Sequence, residues 1–403
     1  MITEDTGKTI SRRGFLGAAA AFSIMAKHTA LGSEANSKVR AGIVGLGGRG
    51  RMIAGMAQNH GGYQITAVAD YFPDIAQGVG EWLSVSPENR FSGLHGYLRL
   101  LESGVDAMFL ETPPFCFPEH AKASVEKGCH VFMAKPVACD VPGTMTVLEA
   151  GRKAGANGRV FLVDFQTRTD PFFIEGIRRL HRGDIGRVGM LSSIYTDESF
   201  PDPPLTDTIE SRLRHLIWVN DDDLGGGYLV NAGIHAIDVA LWMAGDTPVS
   251  AMGSSRIVRN DPHGDSHDVY SLTYQFKDGL ILNHRGEHLK NEHGFKCECI
   301  AFGQTGYLEA GYSSHVRLHG GVEPYEGGQV VDLYPQGAIR NIETFHESIV
   351  NGVYDNPTLE PSINANLAVI LGREAAAKKT SMTWDELMRE NRKIEVDTTG
   401  LAL

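Results

Sequence analysis

Lys38-Val39-Arg40-Ala41-Gly42-Ile43-Val44-Gly45-Leu46-Gly47-Gly48-Arg49-Gly50 is a short apolar run followed by a glycine-rich turn, and Arg51 to His60 continues it as a helical stretch. Strand, glycine turn and helix in that order make a phosphate cradle. Gly45 permits the tight turn, Gly47 lets a pyrophosphate come close to backbone N–H groups, and Gly50 lets the helix pack closely on the strand. Leu46 and Gly48 supply the intervening backbone of the same loop. Further along, Tyr63 to Ala69 reads as the next strand and runs into Asp70. A carboxylate there accepts hydrogen bonds from both ribose hydroxyls and repels a 2′-phosphate, so turn and acid together predict a bound dinucleotide, NAD in preference to NADP.

The alternation of strand and helix continues. Ala107 to Glu111 is an apolar strand leading into Thr112-Pro113-Pro114, Pro118 to Lys127 a helix, His130 to Met133 a strand, and Val141 to Ala154 a helix. This predicts an α/β fold with a doubly wound parallel sheet. Residues 36–164 form the expected Rossmann domain, with Thr112 and Pro113 beside the dinucleotide.

The 403 residues are 42% hydrophobic and 21% charged, an ordinary globular composition with room for two cores. The net charge of −12 is spread along the chain with no basic stripe, which argues against nucleic acid as a partner. The five cysteines, Cys116, Cys129, Cys139, Cys297 and Cys299, show neither CxxC spacing nor the density of a disulfide framework. Cys297 and Cys299 are expected to share one face of a strand as packed core residues. Glu287-His288 and Glu292-His293 are separate pairs without HExxH spacing, so no metal site is expected.

The first residues contain Ser11-Arg12-Arg13-Gly14-Phe15-Leu16, an apolar stretch from Phe15 to Ala26, and a polar run from Lys27 with small residues near Ala30-Leu31-Gly32. Twin-arginine export signals look like this. The apolar segment is about a dozen residues, too short to span a bilayer. Residues 1–35 are therefore expected to be a signal peptide, the protein periplasmic or otherwise exported, and its mature form free of membrane spans.

Met133-Ala134-Lys135-Pro136, and later the stretch from Gly225 to Asp238 with Asn231 and His235, closely resemble the Gfo/Idh/MocA family, which includes glucose–fructose oxidoreductase and inositol dehydrogenase. Gly128 to Val131, Gly183 to Gly186, Leu371 to Ala376 and Thr383 to Asp385 match as well, so the resemblance covers nearly everything after the signal. It implies a second α/β domain, residues 165–403, built on an open, mostly antiparallel sheet whose outer face makes homodimer or homotetramer contacts. Arg187–Tyr195, Val249–Val258, Val269–Phe276, Leu280–His284, Lys296–Phe302 and Gly306–Ala310 read as its strands, and helices within 340–390 are expected near the domain junction.

The resemblance also implies the chemistry, with a small-molecule carbohydrate as substrate. Lys135 corresponds to the lysine beside the nicotinamide and the hydroxyl being oxidised, where partial desolvation lets an amine exchange a proton near neutral pH. His235 follows Asn231 by four residues on an expected helix, Asn231 to Met243, and serves as general acid or base. The substrate pocket draws on Gln166, Arg168, Tyr195, Trp218 and His235, with Asp170, Asp197 and His215 as further polar candidates.

Departures from the family pattern bear on the reaction. The usual aspartate of the helix motif is Asn231, which cannot take a proton; the usual glutamate before the lysine is Ala134; and the usual histidine after Thr-Pro is Phe117, with His120 three residues on. Export also disfavours exchange with free NAD, so a tightly held, internally recycled cofactor is expected. Three functions fit: oxidation of one sugar coupled to reduction of another, a glycosidase working by transient oxidation and elimination, and a non-catalytic sugar- or nucleotide-binding module.

Overall fold

The computed structural model describes residues 38–202, 205–260 and 262–403; the twin-arginine segment lies outside them. Among the described residues, the first sheet contains β1 (Val39–Val44), β2 (Tyr63–Asp70), β3 (Arg90–Ser92), β4 (Ala107–Leu110), β5 (His130–Ala134) and β6 (Phe161–Asp164). Their order is β3-β2-β1-β4-β5-β6 and every pairing is parallel. Every residue of β4, β5 and β6 is buried, as expected of strands covered by helices on both faces. The order reverses beside β1, so the crevice at the carboxyl ends of β1 and β4 is the topological switch point where such sheets bind ligands.

The second sheet contains β7 (Val188–Asp197), β8 (Ser250–Arg256), β9 (Val269–Gln275), β10 (Ile281–His288), β11 (Lys296–Gly303), β12 (Gly306–Gly311), β13 (His315–Gly320), β14 (Tyr325–Gln329) and β15 (Met382–Thr383). It is mixed and mostly antiparallel, with β7 and β10 as its parallel pair, in the order β14-β13-β12-β11-β7-β10-β9-β8-β15. The six strands expected for it are present, with ends shifted by at most four residues. β13, β14 and β15 were not expected: β13 offers only the short alternation of Val316 and Leu318, β14 is Gly-rich, and β15 is two residues long. Burial alternates along β10 and β11, so one face of the sheet is covered and the other is open. Cys297 and Cys299 do point to the covered face, where the Cys299 thiol donates to the Ala236 carbonyl at 3.0 Å. On the open face Tyr307, Phe302, Met190 and Ile281 stand in register across β12, β11, β7 and β10, and all are exposed.

Two C-terminal helices join the layers. Leu359–Lys378 is buried on nearly all sides, packed on the helix Val141–Ala156 and on β8. Leu333–Asn351 begins seven residues before the expected 340–390 span and lays Ala338, Ile342 and Phe345 on the first sheet. Phe345 is fully buried, with ring centroids 5.7 Å from both Phe109 and Phe132. Phe345→Ala leaves a cavity at this joint, and a loss of about 3–5 kcal/mol is expected in denaturant unfolding monitored by circular dichroism.

Candidate active site

The glycine turn is closed by contacts that exclude larger residues at two positions. Gly45 has φ +85°, and a Cβ there would stand 2.5 Å from the Glu111 backbone carbon; a Cβ at Gly50 would stand 1.9 Å from the Gly45 carbonyl oxygen. At Gly47 and Gly48 a Cβ would meet nothing within 4 Å, so open space lies over the start of the helix Gly48–His60. No side chain caps that helix end, and its first N–H groups remain for an anionic ligand. Asp70 is oriented from two sides: Oδ2 accepts from Leu46 N at 2.7 Å and Oδ1 from Phe72 N at 2.9 Å. Burial pushes its carboxyl up from the ordinary carboxylate value, while those backbone bonds and Arg214 oppose the shift. These residues fit a dinucleotide, with Gly45 to Gly50 on the pyrophosphate and Asp70 on the adenosine ribose.

Asp70 sits in a crevice with Tyr71, Phe72, Thr112, Pro113 and His120. Thr112 Oγ1 and His120 Nδ1 are 3.3 Å apart, and burial lowers the imidazole to about 3, so it is neutral. Elements from outside the first sheet close over this end. Leu213 lines the crevice, the Arg214 guanidinium lies 3.7 Å from the Phe72 ring centroid and 3.0 Å from Asp74, and Tyr71 Oη donates to Glu210 at 2.7 Å. The chain end joins them, Leu94 N donating to the Ala402 carbonyl at 2.8 Å.

A second cleft, of about 590 Å³, opens between the sheets and brings together Lys135, Asn231, His235 and Tyr195 with Asp197, Phe295, Tyr312 and Tyr334. Lys135 follows β5 directly, in a cis Lys135–Pro136 peptide. The loop after it is pinned by Asn366, which accepts from Val137 N and donates to Ala138 O and Thr144 Oγ1. Arg373 ties that loop to the glycine-rich one by donating to the carbonyls of Cys139 and Gly226. Lys135 Nζ can therefore donate to the Asn231 carbonyl at 2.6 Å. Burial, with Arg49 nearby, lowers the Lys135 ammonium to about 7.

Asn231 does not begin a regular helix. Leu229–Gly233 winds as a wider π turn before the helix Ile234–Ala244, and both Asn231 and His235 still reach the cleft. His235 is buried, its Nδ1 has no partner among the described residues, and desolvation with the charges of Lys135 and Arg49 pushes the imidazole well below its ordinary value, so it is neutral. The Tyr195 ring stacks near it with centroids 6.2 Å apart.

The other expected substrate residues lie elsewhere. Gln166 is buried under Gly337 and accepts from Tyr312 Oη at 3.3 Å, so it reaches the cleft only through that tyrosine. Arg168 forms a forked ion pair with buried Asp238, 2.7 Å at the shortest, and packs on Trp242. Asp170 caps the helix Pro171–Arg182, and Trp218 packs over Gly225. His215 is exposed in the left-handed region at φ 55°. Proximity to strand ends in sequence suggested a pocket, but capping and ion pairing consume these polar groups. Tyr312, Phe295 and Tyr334 were missed, since only the second domain's folding brings them here. Among the described residues, no group of three or more His, Cys, Asp or Glu is placed to hold a metal ion, and no helix is long and apolar enough to cross a membrane.

A dinucleotide cradle at a switch point, followed by a lysine and a neutral histidine in one cleft, defines an NAD-dependent oxidoreductase with separate cofactor and substrate domains. Residues 39–162 match the oxidoreductase family's NAD-binding Rossmann fold and residues 177–309 the GFO/IDH/MocA C-terminal domain. The chain belongs to the Gfo/Idh/MocA family. It is 23% identical to an inositol 2-dehydrogenase of Rhizobium meliloti over 85% of this chain and 97% of that one. Among solved structures it resembles aldose–aldose oxidoreductase from Caulobacter crescentus (TM-score 0.70, 19% identity, 86% of this chain and 99% of that one). Levoglucosan dehydrogenase in complex with NADH and L-sorbose is similar at TM-score 0.70 and 17% identity, over 87% of this chain and 100% of that one.

Asp70→Ala removes the ribose acceptor, and NAD affinity is expected to fall about 10- to 100-fold by calorimetry, while NADP affinity changes little. Equal losses for both cofactors would contradict the role given to Asp70.

Proposed function

We propose that the protein oxidises a sugar or polyol hydroxyl and reduces a second carbohydrate on the same NAD, which stays bound, and that it works outside the cytoplasm after twin-arginine export. The observation that carries the chemistry is the meeting of Lys135, Asn231, His235 and Tyr195 in one cleft. When bound, the nicotinamide accepts or returns a hydride. Lys135, anchored on the Asn231 carbonyl, takes the hydroxyl proton as a neutral amine. His235 lines the cleft as a neutral imidazole able to hydrogen-bond the substrate, and Tyr195, Phe295 and Tyr312 wall the cleft against water. The relatives named above act on inositol, aldoses and levoglucosan, which supports a polyhydroxylated ring as substrate.

Retention of the cofactor is supported by the closure over Asp70: Arg214 on Phe72 and Asp74, Glu210 on Tyr71, and Ala402 on Leu94. A homodimer or homotetramer is supported by the exposed apolar row Tyr307, Phe302, Met190 and Ile281.

Purified full-length protein is expected to carry NAD(H), seen by absorbance and mass spectrometry, and to turn aldose–ketose mixtures into paired lactone and polyol without net NADH. Release of aglycone from aryl glycosides without those products would move the assignment to the glycosidase. Loss of all nucleotide on gentle purification would end the retention reading, and Arg214→Ala should release NAD about tenfold faster. Because Lys135 must be neutral to accept a proton, kcat/KM for oxidation should rise as pH passes about 7; a profile flat across that range would contradict the assignment. Light scattering should give a dimer or tetramer, and the double variant Phe302→Asp, Ile281→Asp a monomer.

A further inference from the structure

Three ionisable side chains from separate elements converge behind the cleft, and a fourth, Lys135, feels their charges. Arg49 comes from the first turn of the helix Gly48–His60, Glu111 directly follows β4, Lys135 directly follows β5, and Asp164 ends β6. The Glu111 and Asp164 side chains have no exposed surface. Arg49 Nε lies 3.0 Å from Glu111 Oε2, its Nη2 pairs with Asp164, and the Tyr334 ring covers the guanidinium at 5.1 Å.

The two carboxylates are not equivalent. Asp164 also accepts from Asn341 Nδ2 at 2.6 Å, whereas neither Glu111 oxygen completes a hydrogen bond among the described residues. A buried carboxylate left in that state is costly unless a charge or a shared proton compensates it. Arg49 is divided between two carboxylates, so with Lys135 protonated the cluster is balanced. Loss of the lysine proton leaves two anions facing one cation. The parallel pairing of Leu110 with Met133 ends β4 and β5 side by side, so Glu111 and Lys135 both lie at the carboxyl ends of neighbouring strands.

We propose that Glu111 is a positioning residue for the reaction: as part of the buried cluster with Arg49 and Asp164 it supplies charge that helps set the protonation state in which Lys135 meets the substrate hydroxyl. Burial raises the Glu111 carboxyl to about 7, against the pull of Arg49, while burial lowers Lys135 to about 7, so the two titrate as a coupled pair. The other groups facing Lys135 are Arg49 and Asp164, with the Cys297 thiol and neutral His235 from the second domain. Burial holds Cys297 protonated, so it adds no charge at neutral pH.

The test reads Lys135 directly and needs no knowledge of the sugar. Trace acetylation of the full-length protein by acetic anhydride, followed across pH by mass spectrometry of the Lys135 peptide with and without added NAD, gives the midpoint at which the amine becomes neutral. Glu111→Gln should lower that midpoint by about one pH unit, because a stabilising anion is lost. Arg49→Met should raise it, because an opposing cation is lost. Adding Ala134→Glu to the Glu111→Gln variant returns a carboxylate from the neighbouring strand and should restore the midpoint. A purely structural role would not give shifts of opposite sign. An unchanged midpoint in Glu111→Gln, or movement of both single variants in the same direction, overturns the proposal. If Glu111→Gln does not fold by circular dichroism, Arg49→Met decides alone, and no rise there refutes it.

Discussion

The close contact between Gly50 and Gly45 is the constraint on which both halves of the site depend. With no side chain at Gly50, the helix Gly48–His60 comes down onto the end of β1 until backbone meets backbone. That approach leaves an uncapped row of N–H groups over open space, and it also drives Arg49 inward between β4 and β6. One close approach thus builds a cradle for an anion on one side and, on the other, a buried cation that draws Glu111 and Asp164 together. A methyl group at Gly50 would separate helix from strand and disturb both at once.

Burial then does the chemical work in the cleft. An amine and an imidazole taken out of water both lose preference for the charged form, and the charge of Lys135 further opposes charging of His235. Lys135 keeps access to both protonation states because Glu111 and Asp164 partly offset its desolvation; His235 has no such partner and stays neutral. The same low-dielectric setting that makes the site reactive also obliges it to be held stiffly. Asn366 and Arg373, both from the helix Leu359–Lys378, fix the loop after Lys135 and couple it to the approach to Asn231.

Ala134 and Asn231, which depart from the family pattern, take on a different meaning in this setting. The family's carboxylate is absent at Ala134, and Glu111 places one just past the end of the adjacent strand. Asn231 contributes its backbone carbonyl to Lys135, a contact that does not depend on whether the side chain is aspartate or asparagine.

The first sheet was legible in the sequence because its strands are buried on both faces and read as unbroken apolar runs, and because the glycines of the turn answer to a local steric demand. Lys135, His235, Asn231 and Asp70 could be found for the same reason: each sits at a fixed offset from a strand end or a glycine motif. The cluster behind Lys135 carried a weaker signal, a glutamate closing the otherwise apolar run Ala107 to Leu110. Gln166, Arg168 and Trp218 could not be placed, since a polar side chain near a strand end serves a cap, an ion pair or a ligand equally well until its partners are known. Local pattern therefore determined the dinucleotide fold and picked out Lys135, Asn231 and His235, which meet in the cleft. Which polar side chains face the substrate, and which charges set the lysine's proton, depend on residues more than a hundred positions apart in the chain, and only packing of the two sheets against the C-terminal helices decides them.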